Sequence, residues 1–491
     1  MKTSLQSILQ IVMISFVWLF LKTNLMAQAP DTQWEKKIGG NLSDWGASVQ
    51  QTFDGGYIIT GGTRFVAAHY QVFLVKTNAD GDTMWTKAFG GTGRDEGFAV
   101  QQTADSGYIV FANKPILGGV SWDVSLIRTD IYGDTLWTRS FGDSAYDLLN
   151  DGIQTTDSGF VFTGYTESLN TGSEDTWLVK TDANGDTLWT RTFGGAQAEQ
   201  GKAVQQTTDG GYIIAGYTAS YGSGSPDFWL IKTDDSGDTL WTKAYGGSNW
   251  DICYSVQQTS DGGYIATGSS EYSGSGNDIW LIKTDANGDT LWTRIFGGSE
   301  DDEGRAVKQT SDNGYIIAGF TESFGSASRE GWLVRTDANG DSLWSRIYGS
   351  ENWDQFRSVA VTPEGNYIIT GDFESVTDPG QTDLWLVKTV QDVSGINENP
   401  SAVKNNYHLN QNYPNPYNPS TKIVFTLPKS VNVTLNVYNT LGQKIATLVD
   451  GKTNAGTHEI QFDASNLPSG IYFYRLQAGE FSQVRKMVLL R

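Results

Sequence analysis

Seven tryptophans set the frame: Trp34, Trp85, Trp137, Trp189, Trp241, Trp292 and Trp344 follow one another at intervals of 51 or 52 residues. A fixed period of this length means one supersecondary unit written repeatedly, as in a solenoid or a propeller. Each unit holds four strand-like runs. In the fourth these are "AVQQT" (Ala203–Thr207), "YIIAGYT" (Tyr212–Thr218), "FWLIKT" (Phe228–Thr233) and "TLWTKAYGG" (Thr239–Gly247). They are β-branched and aromatic, and Gly, Asp, Asn and Ser bound them. The phase of the array decides its closure. The chain enters with a fourth-strand sequence, "TQWEKKIGG" (Thr32–Gly40), and leaves with a third-strand sequence, "LWLVKT" (Leu384–Thr389). One strand at the start completes the three at the end, and the ring so formed has no open edge. The expected fold is all-β: a seven-bladed β-propeller over residues 30–391, four strands per blade.

The recurring "TDANGDTLW" (Thr181–Trp189) is then the turn between third and fourth strands, where Gly and Asn accept positive φ. Its Trp is a core residue that every blade requires. A calcium loop is the competing reading, since Asp-x-Asn-x-Asp opens one. The turn lacks the downstream bidentate Glu, and Asp130-Ile131-Tyr132-Gly133-Asp134 breaks the ligand pattern. The segment also resembles the tryptophan-docking repeat of quinoprotein dehydrogenases. It is one residue shorter than that repeat, and no residue set for a quinone and its metal accompanies it.

Strand direction alternates within a blade, so the second-to-third and fourth-to-first connections share one face, and these are the variable ones. Variable loops on a rigid scaffold are where binding concentrates. An acid precedes every first strand: Asp44, Asp95, Asp147, Glu199, Asp251, Asp302 and Asp354. A second acidic series precedes the third strands at Asp123, Asp175, Asp227, Asp278, Glu330 and Asp383, broken at Gln71. Strict repetition favours carboxylates that accept backbone N–H bonds and pin their loops. The functional alternative is a cation-binding or cation-steering mouth. Trp45, Tyr146, Trp250 and Trp353 each adjoin an acid of the first series, and Trp122 and Tyr221 lie in second-to-third loops. Acid beside exposed aromatic suits sugar rings; inter-blade packing is the plainer explanation. The candidate ligand-binding set is therefore Asp44, Trp45, Asp95, Tyr146, Asp147, Glu199, Trp250, Asp251, Asp302, Trp353 and Asp354.

No His-Glu-x-x-His, Gly-x-Ser-x-Gly or P-loop occurs, and the three histidines are scattered at His69, His408 and His458. A glycosidase works from two carboxylates alone, but nothing in the sequence singles out a pair. No catalytic residue is assigned. Before Asp392 the chain carries 25 basic and 49 acidic residues. That balance argues against nucleic acid and against an anionic membrane surface. Cys253 is the sole cysteine, so no intrachain disulfide forms.

Residues 1–29 read as a secretion signal: Lys2, an apolar run from Ile8 to Leu21, and Ala27-Gln28-Ala29 for cleavage. The run is shorter than the roughly 20 residues that span a bilayer. Residues 392–409 are polar and turn-rich, a linker. Beyond it the period stops, and alternating strands over residues 410–491 indicate a small Ig-like antiparallel β-sandwich. Tyr413-Pro414-Asn415-Pro416, Asn418-Pro419, Leu441-Gly442-Gln443, Leu467-Pro468-Ser469-Gly470-Ile471-Tyr472 and a basic-ended last strand stand in this region. It resembles the type A C-terminal sorting domain of the type IX secretion system of Bacteroidetes. The resemblance implies passage across the outer membrane on that machinery, removal of the domain, and release or attachment at the cell surface. The expected protein is thus a monomeric, secreted or surface-displayed propeller that binds glycan or a surface protein. A polysaccharide hydrolase or lyase, or a purely structural surface component, is the alternative.

Overall fold

The computed structural model describes residues 29–491, apart from 67–68, 92, 117–120, 144, 169–172, 272–275, 326–327, 375–379, 393–407, 410–411, 413–418, 428, 441, 455, 480 and 490–491. It divides into two compact units, Met1–Gly395 and Ile396–Arg491. The signal segment falls outside the described residues, except Ala29.

The first unit is a seven-bladed propeller of four-stranded antiparallel sheets. Blade 1 runs Trp45–Gln51, Tyr57–Val66, His69–Thr77 and Thr83–Phe89. Blades 2 to 6 repeat this order, with first strands Glu96–Gln102, Asp147–Gln154, Glu199–Gln206, Asp251–Gln258 and Asp302–Gln309. Blade 7 takes Gln355–Val361, Tyr367–Glu374 and Thr382–Thr389 from the end of the array and Thr32–Ile38 from its start. The closing strand pairs Trp34 with Lys388 and Ile38 with Leu384. First strands touch first strands around the ring, and that of blade 7 touches that of blade 1.

Second and third strands are buried along their length, as Tyr315–Thr321 and Glu330–Thr336 illustrate. Each is flanked by neighbouring blades on both faces, so the sequence does not alternate there. Fourth strands form the rim and do alternate, leaving one side chain in two toward solvent.

The repeated Trp is the joint between blades. Each packs on the aromatic that opens the second strand of the next blade, with ring centroids 5.8 Å apart for Trp34–Tyr57, 5.9 Å for Trp189–Tyr212 and 6.2 Å for Trp344–Tyr367. In blades 1 to 6 the Trp of the preceding blade also lies under the glycine of the turn between third and fourth strands. A Cβ on Gly185 would meet Trp137 at 2.8 Å, and Gly185 has φ +81°. The last Asp of the turn reaches back as well: Asp186 to Arg139 at 3.3 Å, Asp238 to Arg191 at 3.1 Å, Asp289 to Lys243 at 2.9 Å. Asp182 Oδ1 accepts the N–H groups of Asn184 and Asp186. The turn's oxygens are thus engaged within the turn and by the preceding blade. Such a donor set does not fit the calcium loop considered above.

The second unit packs two sheets on one core. Lys444–Thr453, Val431–Asn439, Gly470–Ala478 and Phe481–Leu489 form one, and His408–Leu409, Ser420–Leu427 and Gly456–Asp463 the other. Ile423, Phe425, Val433, Leu435, Tyr474 and Met487 are buried between them.

Candidate functional site: the central channel and the groove between blades 5 and 6

The first-series acids are not presented to solvent. Asp44, Asp95, Asp147, Glu199, Asp251, Asp302 and Asp354 are all buried. Each accepts the N–H of the residue four positions earlier, at 2.7 Å for Gly40–Asp44 and Gly195–Glu199, and 3.0 Å for Gly91–Asp95 and Gly247–Asp251. Asp143–Asp147, Gly298–Asp302 and Ser350–Asp354 complete the set. Several also take a donor from the second-to-third connection of their own blade. Ser220 N donates to Glu199 Oε1 at 2.8 Å and Glu374 N to Asp354 Oδ1 at 2.7 Å. Each acid therefore pins the connection that leads into its own strand, and several of them tie a second segment of the variable face to it. Burial pushes Asp44, Asp95, Asp251 and Asp354 above the usual carboxylate range. The second series lies beside the first. Burial and then the Glu199 charge raise Asp175, and burial and then the Asp44 charge raise Asp383. Among the described residues no group of three or more His, Cys, Asp or Glu side chains is placed to hold a metal ion.

The aromatics diverge. Trp250 is 53% exposed and Tyr146 40%. Trp45 is half-buried against Phe98, with Arg357 over its ring at 5.1 Å. Trp353 is half-buried beneath Arg329 at 4.8 Å.

One element of the site is not in the candidate set above. Every first strand carries a β-bulge, marked by a register shift between Gly46 and Ser48 in blade 1 and between Cys253 and Ser255 in blade 5. The extra residue has no partner on the second strand and is aimed elsewhere. In order around the ring these residues are Ala47, Phe98, Asn150, Lys202, Tyr254, Arg305 and Arg357, and all seven line the central channel. The channel holds a cavity of about 730 Å³ bounded by the first strands of all seven blades. Six residue types stand at the seven bulge positions, while the residues around them repeat. That contrast was a signal available in the sequence.

Deeper in the channel glutamines join the blades. Gln50 Oε1 accepts from Gln102 N and Gln257 Oε1 from Gln309 N, both at 2.7 Å. Asp151 occupies a position held by Ser or Ala in the other blades. It accepts Val204 N at 3.0 Å and Gly152 N at 2.9 Å, and burial pushes its carboxyl up to about 6.

A recess of about 310 Å³ opens beside the channel between blades 5 and 6. Trp250, Ile252 and Tyr254, alternate residues leading into and along one first strand, form one wall. Glu271, Asn277, Asp301 and Glu303 bring polar groups to it. Tyr254 borders both recess and channel. Volumes of about 300–1,000 Å³ with aromatic walls and a few fixed polar groups are typical of ligand sites.

In the second unit, the described motif residues are structural. Tyr472 is buried and its hydroxyl donates to Pro468 O at 2.8 Å. Leu467 packs on the core, and Gly442 turns at φ +75°. Gly470 and Ile471 begin a strand with Ile471 exposed, and Pro419 O accepts Ala464 N at 3.0 Å. Tyr413, Pro414, Asn415, Pro416, Asn418 and Leu441 lie outside the described residues.

Over 178 residues, 31% of this chain, the sequence is 26% identical to the regulatory protein FlaEY of Caulobacter vibrioides, and the match spans 18% of that protein. Among solved structures, PorZ, a surface component of the type IX secretion system of Porphyromonas gingivalis, aligns with 89% of this chain and 58% of its own at 12% identity and a TM-score of 0.43. An endo-1,5-α-L-arabinanase from Thermotoga petrophila aligns with 74% of this chain and all of its own at 11% identity and a TM-score of 0.31. Residues 411–490 match the secretion system C-terminal sorting domain family. That segment is a C-terminal sorting domain, and the chain is a type IX secretion cargo, sent to the cell surface or released beyond it.

Proposed function

We propose that this cargo is a binding protein that takes up a glycan along the groove between blades 5 and 6. The observation that carries the reading is the wall of that groove. Trp250 and Tyr254 offer ring faces two turns of the pleat apart, and Glu271, Asp301 and Glu303 offer acceptors for hydroxyl groups beside them. Asp251 and Asp302 pin the connections that lead into the two first strands beside it, which lowers the ordering that opposes binding. In this reading residues 1–29 deliver the chain to the periplasm and the sorting domain carries it outward. The propeller then acts as a monomer, free or attached at the outer-membrane surface.

The test is a glycan-binding screen on the exported protein, wild type and Trp250→Ala. Trp250 is more than half exposed, so its loss leaves the fold intact. Aromatic anchors dominate such sites, and the variant is expected to bind at least about tenfold more weakly, or about 1.4 kcal/mol. Unchanged binding would remove the groove from consideration. A blank screen alongside capture of a defined surface protein would replace glycan with protein as the ligand class.

A further inference from the structure

We propose that the central channel holds the acidic group of that glycan, a carboxylate or a sulfate ester on one sugar, between Lys202, Arg305, Lys308 and Arg357. The inference rests on the reading of the groove as a glycan site and names its substrate class.

The argument begins with charge. The chain before Asp392 is strongly acidic, yet the channel wall carries these four cations and a single acid, Asp151. Two of the cations are partly neutralised. Arg357 Nη2 lies 2.8 Å from Asp372, and Arg305 Nη2 lies 2.5 Å from Glu303. Glu96, which adds to the field at Arg357, is itself held by Arg94 at 2.8 Å. The other two cations have no carboxylate within ion-pair distance among the described residues. Lys202 Nζ makes one hydrogen bond, to the neutral Gln200 Oε1 at 2.6 Å, and Glu174 nearby is bonded to Gln200. The Lys308 ammonium has no hydrogen bond or ion pair among the described residues, although the Asp151 charge acts on it. Arg305 Nε is buried with no hydrogen-bond partner there, an orphaned donor of a kind that costs stability unless a ligand completes it.

Electrostatics points the same way. Burial, with the Arg305 charge added, brings the Lys202 amine down to about 8, and burial lowers Lys308. A cation depressed by its neighbour, as Lys202 is by Arg305, is relieved by an anion placed beside it. Asp151 offsets part of this: its charge raises Lys308, without an ion pair between the two among the described residues, and its carboxylate also accepts two backbone N–H groups. The geometry suits an acid carried on a ring. Tyr254 stands between the Lys202 and Arg305 blades, with the Arg305 guanidinium 4.2 Å above its ring, and it is the residue through which groove and channel meet. Guanidinium and ammonium groups bind carboxylate and sulfate oxygens by charge-assisted hydrogen bonds. The acidic exterior repels a dense polyanion, so the fitting ligand is a glycan with one acidic residue or an acidic end.

The test titrates the full exported chain calorimetrically with three matched oligosaccharides: one bearing a uronate, its carboxyl-reduced neutral counterpart, and a singly sulfated counterpart. At least tenfold tighter binding of either acidic form over the neutral one is expected, and which acid is preferred identifies the source of the charge. Lys202→Met combined with Lys308→Met should cut that preference at least tenfold, with a thermal melt confirming the fold. Equal binding of acidic and neutral forms overturns the proposal while the groove reading stands. No binding of any of the three overturns both.

Discussion

Gly194 admits no side chain because two carboxylates close on it: a Cβ there would lie 1.8 Å from Asp175 Oδ1 and 2.7 Å from Glu199 Oε2. Gly39, Gly246 and Gly297 sit in the same way between Asp383 and Asp44, Asp227 and Asp251, and Asp278 and Asp302. Buried like charges disfavour the ionised state, and their folded pKa values rise. Asp123, Asp175, Asp227 and Asp383 are all raised, burial first and a neighbouring carboxylate among the further causes. The turns between first and second strands do the reverse. Asp54 is held down to about 2 despite partial burial, by hydrogen bonds from Lys76, Thr52 and Gly56. The two groups give opposite pH dependences. A raised carboxylate contributes stability that is complete below its unfolded value and lost as pH rises through its folded value; Asp151 does this near pH 6. A depressed one contributes stability above about pH 4 that is lost as pH falls, through about 2 for Asp54. The melting temperature is therefore expected to be higher at pH 5 than at pH 7.5, and to fall steeply below pH 3. Scanning fluorimetry across that range checks it, and a melting temperature that climbs steadily to pH 8 would contradict the carboxylate pairs.

At the scale of the strand and turn, most of the blade was legible and its bulge was not. The Trp period, the Asn-Gly turns and the closing strand are local patterns, and a local pattern reports local geometry. The loop-pinning role of the acids was also legible as one of two readings. What the sequence lacked was the N–H four residues back that each of these acids accepts. The bulge escaped because a period of two assigns every residue of a strand to one face or the other, and Lys202, Tyr254, Arg305 and Arg357 belong to neither. The same turns hold a smaller conflict. Between first and second strands, Gly55, Gly210, Gly262 and Gly365 adopt φ of 81° to 87°, whereas Ser106, Ser158 and Asn313 hold φ of 70°, 69° and 65° at the equivalent position. A side chain in that region costs about 1–2 kcal/mol, of which Gly recovers part after its own entropy loss. Ser158→Gly should stabilise the propeller by about 0.5–1 kcal/mol. A urea midpoint that moves upward checks it, and one that moves downward would show that the serine side chain makes a compensating contact.

Over the whole molecule, the ring is held at the point where the chain leaves it. Six blades repeat a buried strand cation on the acid of the preceding turn, as in Lys232–Asp209 at 2.9 Å and Arg335–Asp312 at 2.7 Å. Arg335 does more: its Nε meets Asp392 at 2.9 Å, and the Tyr367 hydroxyl donates to the same carboxylate at 2.5 Å. Both Arg335 and Asp392 side chains are almost wholly buried. Removing one partner of a buried pair costs about 3–5 kcal/mol, and Asp392→Ala is expected to lower propeller stability by about 3 kcal/mol, measured by urea denaturation. Asp392 is thus the last described residue locked to the ring, and the sorting domain at 411–490 serves export. The two roles come apart in a chain ended after Asp392. It should melt at the temperature of the propeller transition in the full chain, because no blade loses a strand or a lock. It should also accumulate in the periplasm, because the sorting domain at 411–490 is gone. Fractionation of the culture reads the second outcome and a thermal melt the first. A folded propeller outside the cell at normal yield would mean that the blades themselves carry an export signal, and a truncated chain that fails to fold would mean that the linker after Asp392 belongs to the ring.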